Sequence, residues 1–173
     1  MNHSPIPPGQ QPALDLGSKR IGVAVCDELG LIATPLEVIH HTSKEKDLAR
    51  IAAHVRREQV VGIVVGHPLN DDGSAGAQAR YVERYVQELI ASLREAGLEL
   101  PVLLWDEYGS TRRAQQAMIT SGRGARERRE RLDAAAAAAI LQDYLDAHRP
   151  PAPLPPGAYS GPPEEHSGKP DEW

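Results

Sequence analysis

A chain of 173 residues, 40% of them hydrophobic, has room for one domain with an ordinary core. Its apolar runs are only a few residues long and MNHSPIPPGQQP has no basic-then-apolar leader, which excludes a membrane span and predicts a cytoplasmic protein without a membrane partner. The lone cysteine, Cys26, excludes an internal disulfide and a thiolate metal cluster. A net charge of −5, no phenylalanine and 4% aromatics leave little for base stacking, so a nucleic acid would have to be held by charge.

Residues 1–12 read as a flexible N-terminal segment. ALDLGSKRIGVAVCDELG, residues 13–30, then sets Asp15 in the middle of an apolar run. A buried carboxylate costs several kcal/mol unless something compensates it, so the rest of the chain must supply a counter-charge. Residues 14–17 and 20–26 read as strands joined by a tight turn at Gly17–Ser18, and LIATPLEVI (31–39) as a third strand after a turn at Gly30. Three strands in succession predict an antiparallel meander. Thr42 and Glu45 have capping-box spacing ahead of Leu48, Ile51, Ala52 and Val55, which recur as on a helix.

VVGIVVG (60–66) is continuously apolar, as in a strand covered on both faces, and is expected at the centre of the sheet; a polar loop with His67 and Asn70 follows. Val82, Val86, Leu89, Ile90 and Leu93 mark a second helix ending near Gly97, and PVLLWDE (101–107) a last strand. Ser110 can cap a short helix to about Thr120, and residues 131–148 form the final helix. From Pro150 the chain is too rich in proline and too poor in apolar residues to pack, which predicts a disordered tail over 149–173 and a folded domain over 13–148. The order βββαβαβαα implies an α/β mixed sheet with helices on both faces.

On the final helix, Asp133, Ala136, Ala137, Ile140, Leu141 and Tyr144 fall on one stripe, so Asp133 is expected to begin the buried face, with Asp143 and Asp146 solvated. The alanine run 134–139 lets that helix approach the sheet closely. Asp106 and Glu107 lie on opposite sides of the last strand's pleat, so only one of them can face the helix. Carboxylates converging without a thiolate suit a hard cation, Mg²⁺ or Mn²⁺. Two such ions about 3.5–4 Å apart stabilise the attacking and departing oxygens of a phosphodiester displacement, with Asp15 as the natural bridge. Between Thr111 and Leu132 stand seven arginines (Arg112, Arg113, Arg123, Arg126, Arg128, Arg129, Arg131) against Glu127 and Glu130. That surplus of five positive charges is a candidate phosphate-binding patch, and Lys19 and Arg20 could hold a neighbouring phosphate.

Taken together, LDLGSKRIGVAVCDELGLIATPLEVI, VVGHPLNDDGSAGAQA, LLWDEYGST and DAAAAAAILQDYLD resemble, in order and spacing, the YqgF/RuvX family of ribonuclease H-like nucleases. The resemblance implies a ribonuclease H-like fold, a five-stranded mixed sheet in the order 3-2-1-4-5. It also implies divalent-metal phosphodiesterase chemistry and a role in maturing the 5′ end of the small-subunit rRNA precursor; a Holliday-junction resolvase role has been assigned to relatives. The family's first-strand aspartate maps to Asp15, its late-strand Asp-Glu pair to Asp106 and Glu107 and its last-helix aspartate to Asp133; Asp15, Glu107 and Asp133 are the expected catalytic metal ligands with Asp106 as the fallback, and Lys19, Arg20, His67, Asn70, Ser110, Thr111, Arg112, Arg113, Arg123, Arg126, Arg128 and Arg129 the expected nucleic-acid contacts. Tyr108 and Gly109 replace the family's usual arginine and apolar residue, and His67 stands where an apolar residue is usual, a candidate proton carrier or phosphate ligand. With the sheet order implied, the last strand lies two positions from the first, about 9.6 Å, so Glu107 has to lean inward. An ATP-handling enzyme fits DLGSK less well, since the chain lacks a second such loop and the length for two domains. A silent binding scaffold would leave three acids without a purpose. RNA or DNA as substrate, a homodimer and a protein partner held by the tail stay open at this level.

Overall fold

The computed structural model describes residues 6, 7, 9–106 and 125–149, the side chains of residues 125–129 excepted. Within them the elements run β1 (Pro12–Leu16), β2 (Arg20–Cys26), β3 (Ala33–His40), α1 (Lys44–Arg57), β4 (Ile63–His67), α2 (Ala77–Glu95), β5 (Val102–Asp106) and α3 (Ala125–His148). The helix expected over 110–120 and the tail from Pro150 lie outside the described residues.

The sheet order is β3-β2-β1-β4-β5, with β1–β2 and β2–β3 antiparallel and β1–β4 and β4–β5 parallel. This is the topology expected of a ribonuclease H-like fold. The central strand is β1, all five residues of which are buried; the apolar β4, expected at the centre, is its neighbour and begins at Ile63. Two clusters of buried side chains cover the sheet. Leu14, Leu16, Ile21, Val23, Ile63 and Val65 pack with α1 and α2 on one face, while Ala13, Ala24, Cys26, Val64 and Leu103 pack with α3 on the other.

Local chemistry accounts for the element ends. In the β2–β3 hairpin Gly30 takes φ +65°, and Asp27 accepts from the amides of Leu31 at 2.6 Å and Ile32 at 2.9 Å. The amides of Ile32 and Leu31 hold the Asp27 carboxyl below the usual carboxylate range. The cap of α1 is Ser43 rather than Thr42, with its hydroxyl accepting from the Lys46 amide at 3.3 Å; starting the helix one residue later breaks the Thr42–Glu45 box. α2 ends before Gly97 as expected, with the Leu98 amide closing on the Leu93 carbonyl at 2.8 Å. The packed unit also reaches further back than Ala13: β1 begins at Pro12, and Ile6 is buried with its amide donating to the Tyr144 hydroxyl at 2.8 Å. Cys26 is a buried strand residue whose thiol pKa is pushed up by that burial.

Within the α1/α2 core the hydroxyl of Tyr85 is buried and has no hydrogen-bond partner among the described residues, and burial pushes its pKa far above the usual range. An unpaired buried hydroxyl costs about 1–3 kcal/mol. Tyr85→Phe is therefore expected to raise stability by about 1 kcal/mol, a rise in Tm of roughly 2–4 °C by calorimetry. A lower Tm would mean that the hydroxyl is satisfied.

Candidate active site

The site starts from the pleat of β1, which sends Leu14 and Leu16 toward α1 and α2 and Ala13 and Asp15 toward α3. Asp15 is 6% exposed, a carboxylate placed within the sheet. Its partner across the antiparallel ladder is Gly22. On the other side β1 pairs with β4 through Ala13↔Val64 and Leu14↔Val65, a register that sets Gly66 next along beside Asp15. Glycine on both flanks keeps side chains off the sheet around this carboxylate.

α3 uses that space. A Cβ at Gly22 would lie 2.0 Å from the Asp133 carbonyl oxygen, so the helix backbone rests directly on β2 at the residue paired with Asp15. The alanines do what their size predicts: Ala137 and Ala138 are buried in one cluster with Ala13 and Ala24, Ala134 is buried as well, and helix and sheet meet closely. The helix is rotated relative to the expected stripe, however, and begins at Ala125 rather than Arg131. Ala134 tops the buried face, while Asp133 sits at its border with its side chain 28% exposed. There Arg20 Nε donates to Asp133 Oδ2 at 2.6 Å. Arg20 is directly opposite His40 in the β2–β3 register, and His40 Nε2 lies 3.1 Å from Glu130 Oε1, so a second acid–base pair borders the first. Asp143 and Asp146 are exposed as expected, with Asp143 accepting from Trp105 Nε1 at 2.9 Å.

Other expected site residues are placed elsewhere. Asp106 shares its side of the β5 pleat with Val102 and Leu104, which pack on the α1/α2 core, so it lies on the face of the sheet opposite to Asp15. His67 follows Ile63 and Val65 on that same face and meets Glu83 of α2 at 3.0 Å, which makes it a tie between β4 and α2 rather than a group near the acids. Asn70 closes its own loop, its side chain donating to Ser74 Oγ at 2.9 Å. Lys19 is exposed in the β1–β2 turn. Glu107, Ser110, Thr111, Arg112, Arg113 and Arg123 lie outside the described residues, as do the side chains of Arg126, Arg128 and Arg129.

Three features escaped sequence reasoning: the glycine-flanked setting of Asp15, the His40–Glu130 pair, and a pairing of part-buried His41 with buried Asp47. A signal existed for the last, because Asp47 falls beside Leu48 and four residues before Ile51 on the apolar stripe of α1, where a charge is out of place.

Asp15 and Asp133 offer hard oxygen donors on one face, and a cationic group already stands on Asp133 as its counter-charge, so the donor set suits a hard divalent cation. No group of three or more potential metal-ligating side chains occurs among the described residues.

The sequence profile of the RuvX family, described as a Holliday junction resolvase, matches residues 10–147. The chain belongs to the RuvX family. Its relatives in that family include a protein of Anaeromyxobacter sp. (strain Fw109-5), 49% identical over 133 residues, covering 77% of this chain and 93% of its own length. Another, from Syntrophus aciditrophicus (strain SB), is 46% identical over 134 residues, covering 78% and 86%. Both bear the name "Putative pre-16S rRNA nuclease". Among solved structures, Thermus thermophilus RuvC in complex with a Holliday junction substrate aligns over 80% of this RuvX chain and 95% of its own, at 16% identity and a TM-score of 0.48.

Proposed function

We propose that this RuvX-family protein is a divalent-metal-dependent nuclease that hydrolyses phosphodiester bonds in 5′-end processing of the small-subunit rRNA precursor, in the cytoplasm. The observation that carries the reading is the seat of the Asp133 backbone on Gly22, the residue paired with Asp15, which brings two acids 118 positions apart in the chain to one region of the sheet. Relatives named for pre-16S rRNA over more than three quarters of the chain supply the substrate class.

Asp15, Asp133 and Glu107 would hold Mg²⁺ or Mn²⁺, which when bound offsets their charge and stabilises the oxygens entering and leaving phosphorus. The chain itself does the rest. The sheet fixes Asp15, and the bare backbone of Gly22 lets α3 seat on β2, which sets the depth of α3 and hence of Asp133. With a cation held by Asp133, the Arg20 guanidinium would be available to a phosphate, and Lys19, exposed in the β1–β2 turn, would add positive charge beside it.

The test is incubation of the full chain with precursor RNA carrying the immature small-subunit 5′ end and, separately, with a four-way DNA junction, each with Mg²⁺, Mn²⁺ or EDTA. Cleavage of the RNA that EDTA abolishes is expected. Cutting of the junction alone would turn the assignment to a resolvase, the activity by which the family is described, and cleavage undiminished by EDTA would overturn the metal dependence.

The counter-charge exchange has its own consequence. Arg20 and Asp133 are about a quarter exposed, so their pair is worth under ~1 kcal/mol to the fold. Arg20→Met is expected to melt within a few degrees of wild type and to bind Mn²⁺ about 3–5-fold more tightly by electron paramagnetic resonance titration, because a competing cation is gone. Weaker or unchanged Mn²⁺ binding would mean that Arg20 does not occupy the ion's place.

A further inference from the structure

We infer that His41, backed by Asp47, is a positioning residue for the site: it clamps the β1–β2 turn that joins Asp15 to Arg20. The inference rests on the nuclease reading for its consequence in catalysis but on the structure alone for the clamp. Asp47, in the first turn of α1, is 2% exposed, and its Oδ2 lies 2.5 Å from Nδ1 of His41. The other ring nitrogen, Nε2, donates to the carbonyl oxygen of Gly17 at 3.1 Å. A line therefore runs from a buried carboxylate through an imidazole to the backbone two residues beyond Asp15.

Stability alone does not account for such a pair. A buried ion pair gains little over apolar side chains of the same volume, and the α1/α2 core around Asp47 could be filled with leucine or valine. What the pair achieves is orientation. The turn is tied at three further points: Gly17 N donates to Arg20 O at 2.9 Å, His41 N to Lys19 O at 3.1 Å, and Gln78 Nε2 to Leu16 O at 2.8 Å. All of these ties surround the three residues that separate β1 from β2, where the chain reverses between the buried acid and the arginine that meets Asp133. Glycine at position 17 makes this turn soft, and contacts from β3's end and from α2 make it hard.

The two halves of the imidazole can be tested apart. In His41→Gln the amide nitrogen reaches about as far as Nε2 and can still donate to Gly17 O, while the contact to Asp47 is lost; in His41→Asn the amide stands near Nδ1 and meets Asp47, while the contact to Gly17 is lost. Hydrogen exchange of the Gly17 and His41 amides, melting, and the kcat and KM of RNA cleavage are measured on both. Under the clamp, His41→Asn exchanges about tenfold faster at these amides and loses about tenfold in kcat with KM within about twofold, whereas His41→Gln stays within about threefold of wild type in each. A purely structural pair would rank the variants by melting temperature instead, and equal exchange in the two variants overturns the proposal. Should His41→Asn not fold, His41→Ser, too short to reach the Gly17 carbonyl, takes its place: exchange at Gly17 must rise above that of His41→Gln, and equal exchange overturns the clamp. If the wild type cleaves no nucleic acid, the exchange result still decides the clamp, and the nuclease reading alone fails.

Discussion

Asp15→Asn is expected to lower metal-dependent cleavage on the order of a thousandfold, about 4 kcal/mol of transition-state stabilisation, while leaving the protein folded. The substitution keeps volume and shape, so the packing of β1 between β2 and β4 and the seat of α3 on Gly22 are undisturbed. What it removes is one unit of negative charge at the more enclosed of the two described donors, 6% exposed, where solvent screens less and a cation is held more strongly. Mn²⁺ binding should fall in parallel, and melting should stay within a few degrees of wild type. Retention of more than a tenth of the wild-type rate in a variant that binds Mn²⁺ normally would remove Asp15 from the chemistry.

The second large effect comes from a residue with no side chain. In Gly22→Ala the new methyl carbon would fall 2.0 Å from the carbonyl oxygen, 2.6 Å from the carbonyl carbon of Asp133 and 3.2 Å from the amide nitrogen of Ala134. All three are backbone atoms of a helix, so no side chain can turn aside; α3 has to lift away from the sheet. Overpacking of this kind costs about 3 kcal/mol, which for a chain of this size lowers Tm by roughly 10 °C. Cleavage should fall further than stability does, because the lift carries Asp133 away from Asp15, and an error of ~1 Å in such a site already lowers rates about a hundredfold. Calorimetry together with the cleavage assay at a temperature well below the lowered Tm separates the two losses. A variant that melts within 2 °C of wild type and cleaves normally would show that the close seating of α3 is not required.

Much of this architecture can be read from local pattern. Alternation in β1 and β2, the continuous apolar run of β4, the 3.6-residue stripes of α1 and α2 and the stop at Gly97 are properties of short windows, and their order implies a mixed sheet with helices on both faces. The misplacement of Asp15 in an apolar strand is equally local, and four blocks of matching motif name the family. Pairing across the fold is another matter. Whether Asp133 lies under α3 or at its border depends on how the helix is rotated about its axis, which the close seat of its backbone on Gly22 decides and its own stripe of alanines leaves nearly free. Arg20 and Asp133, 113 residues apart, become partners only once that rotation is set. The same holds for His67, whose partner Glu83 lies on α2, and for Asp106, whose face follows from the phase of β5 against β4. Backbone geometry repeats with short periods, and these specify the elements, their order and an acid set in an apolar strand; which charge meets which follows from packing between elements whose relative rotation no short period encodes.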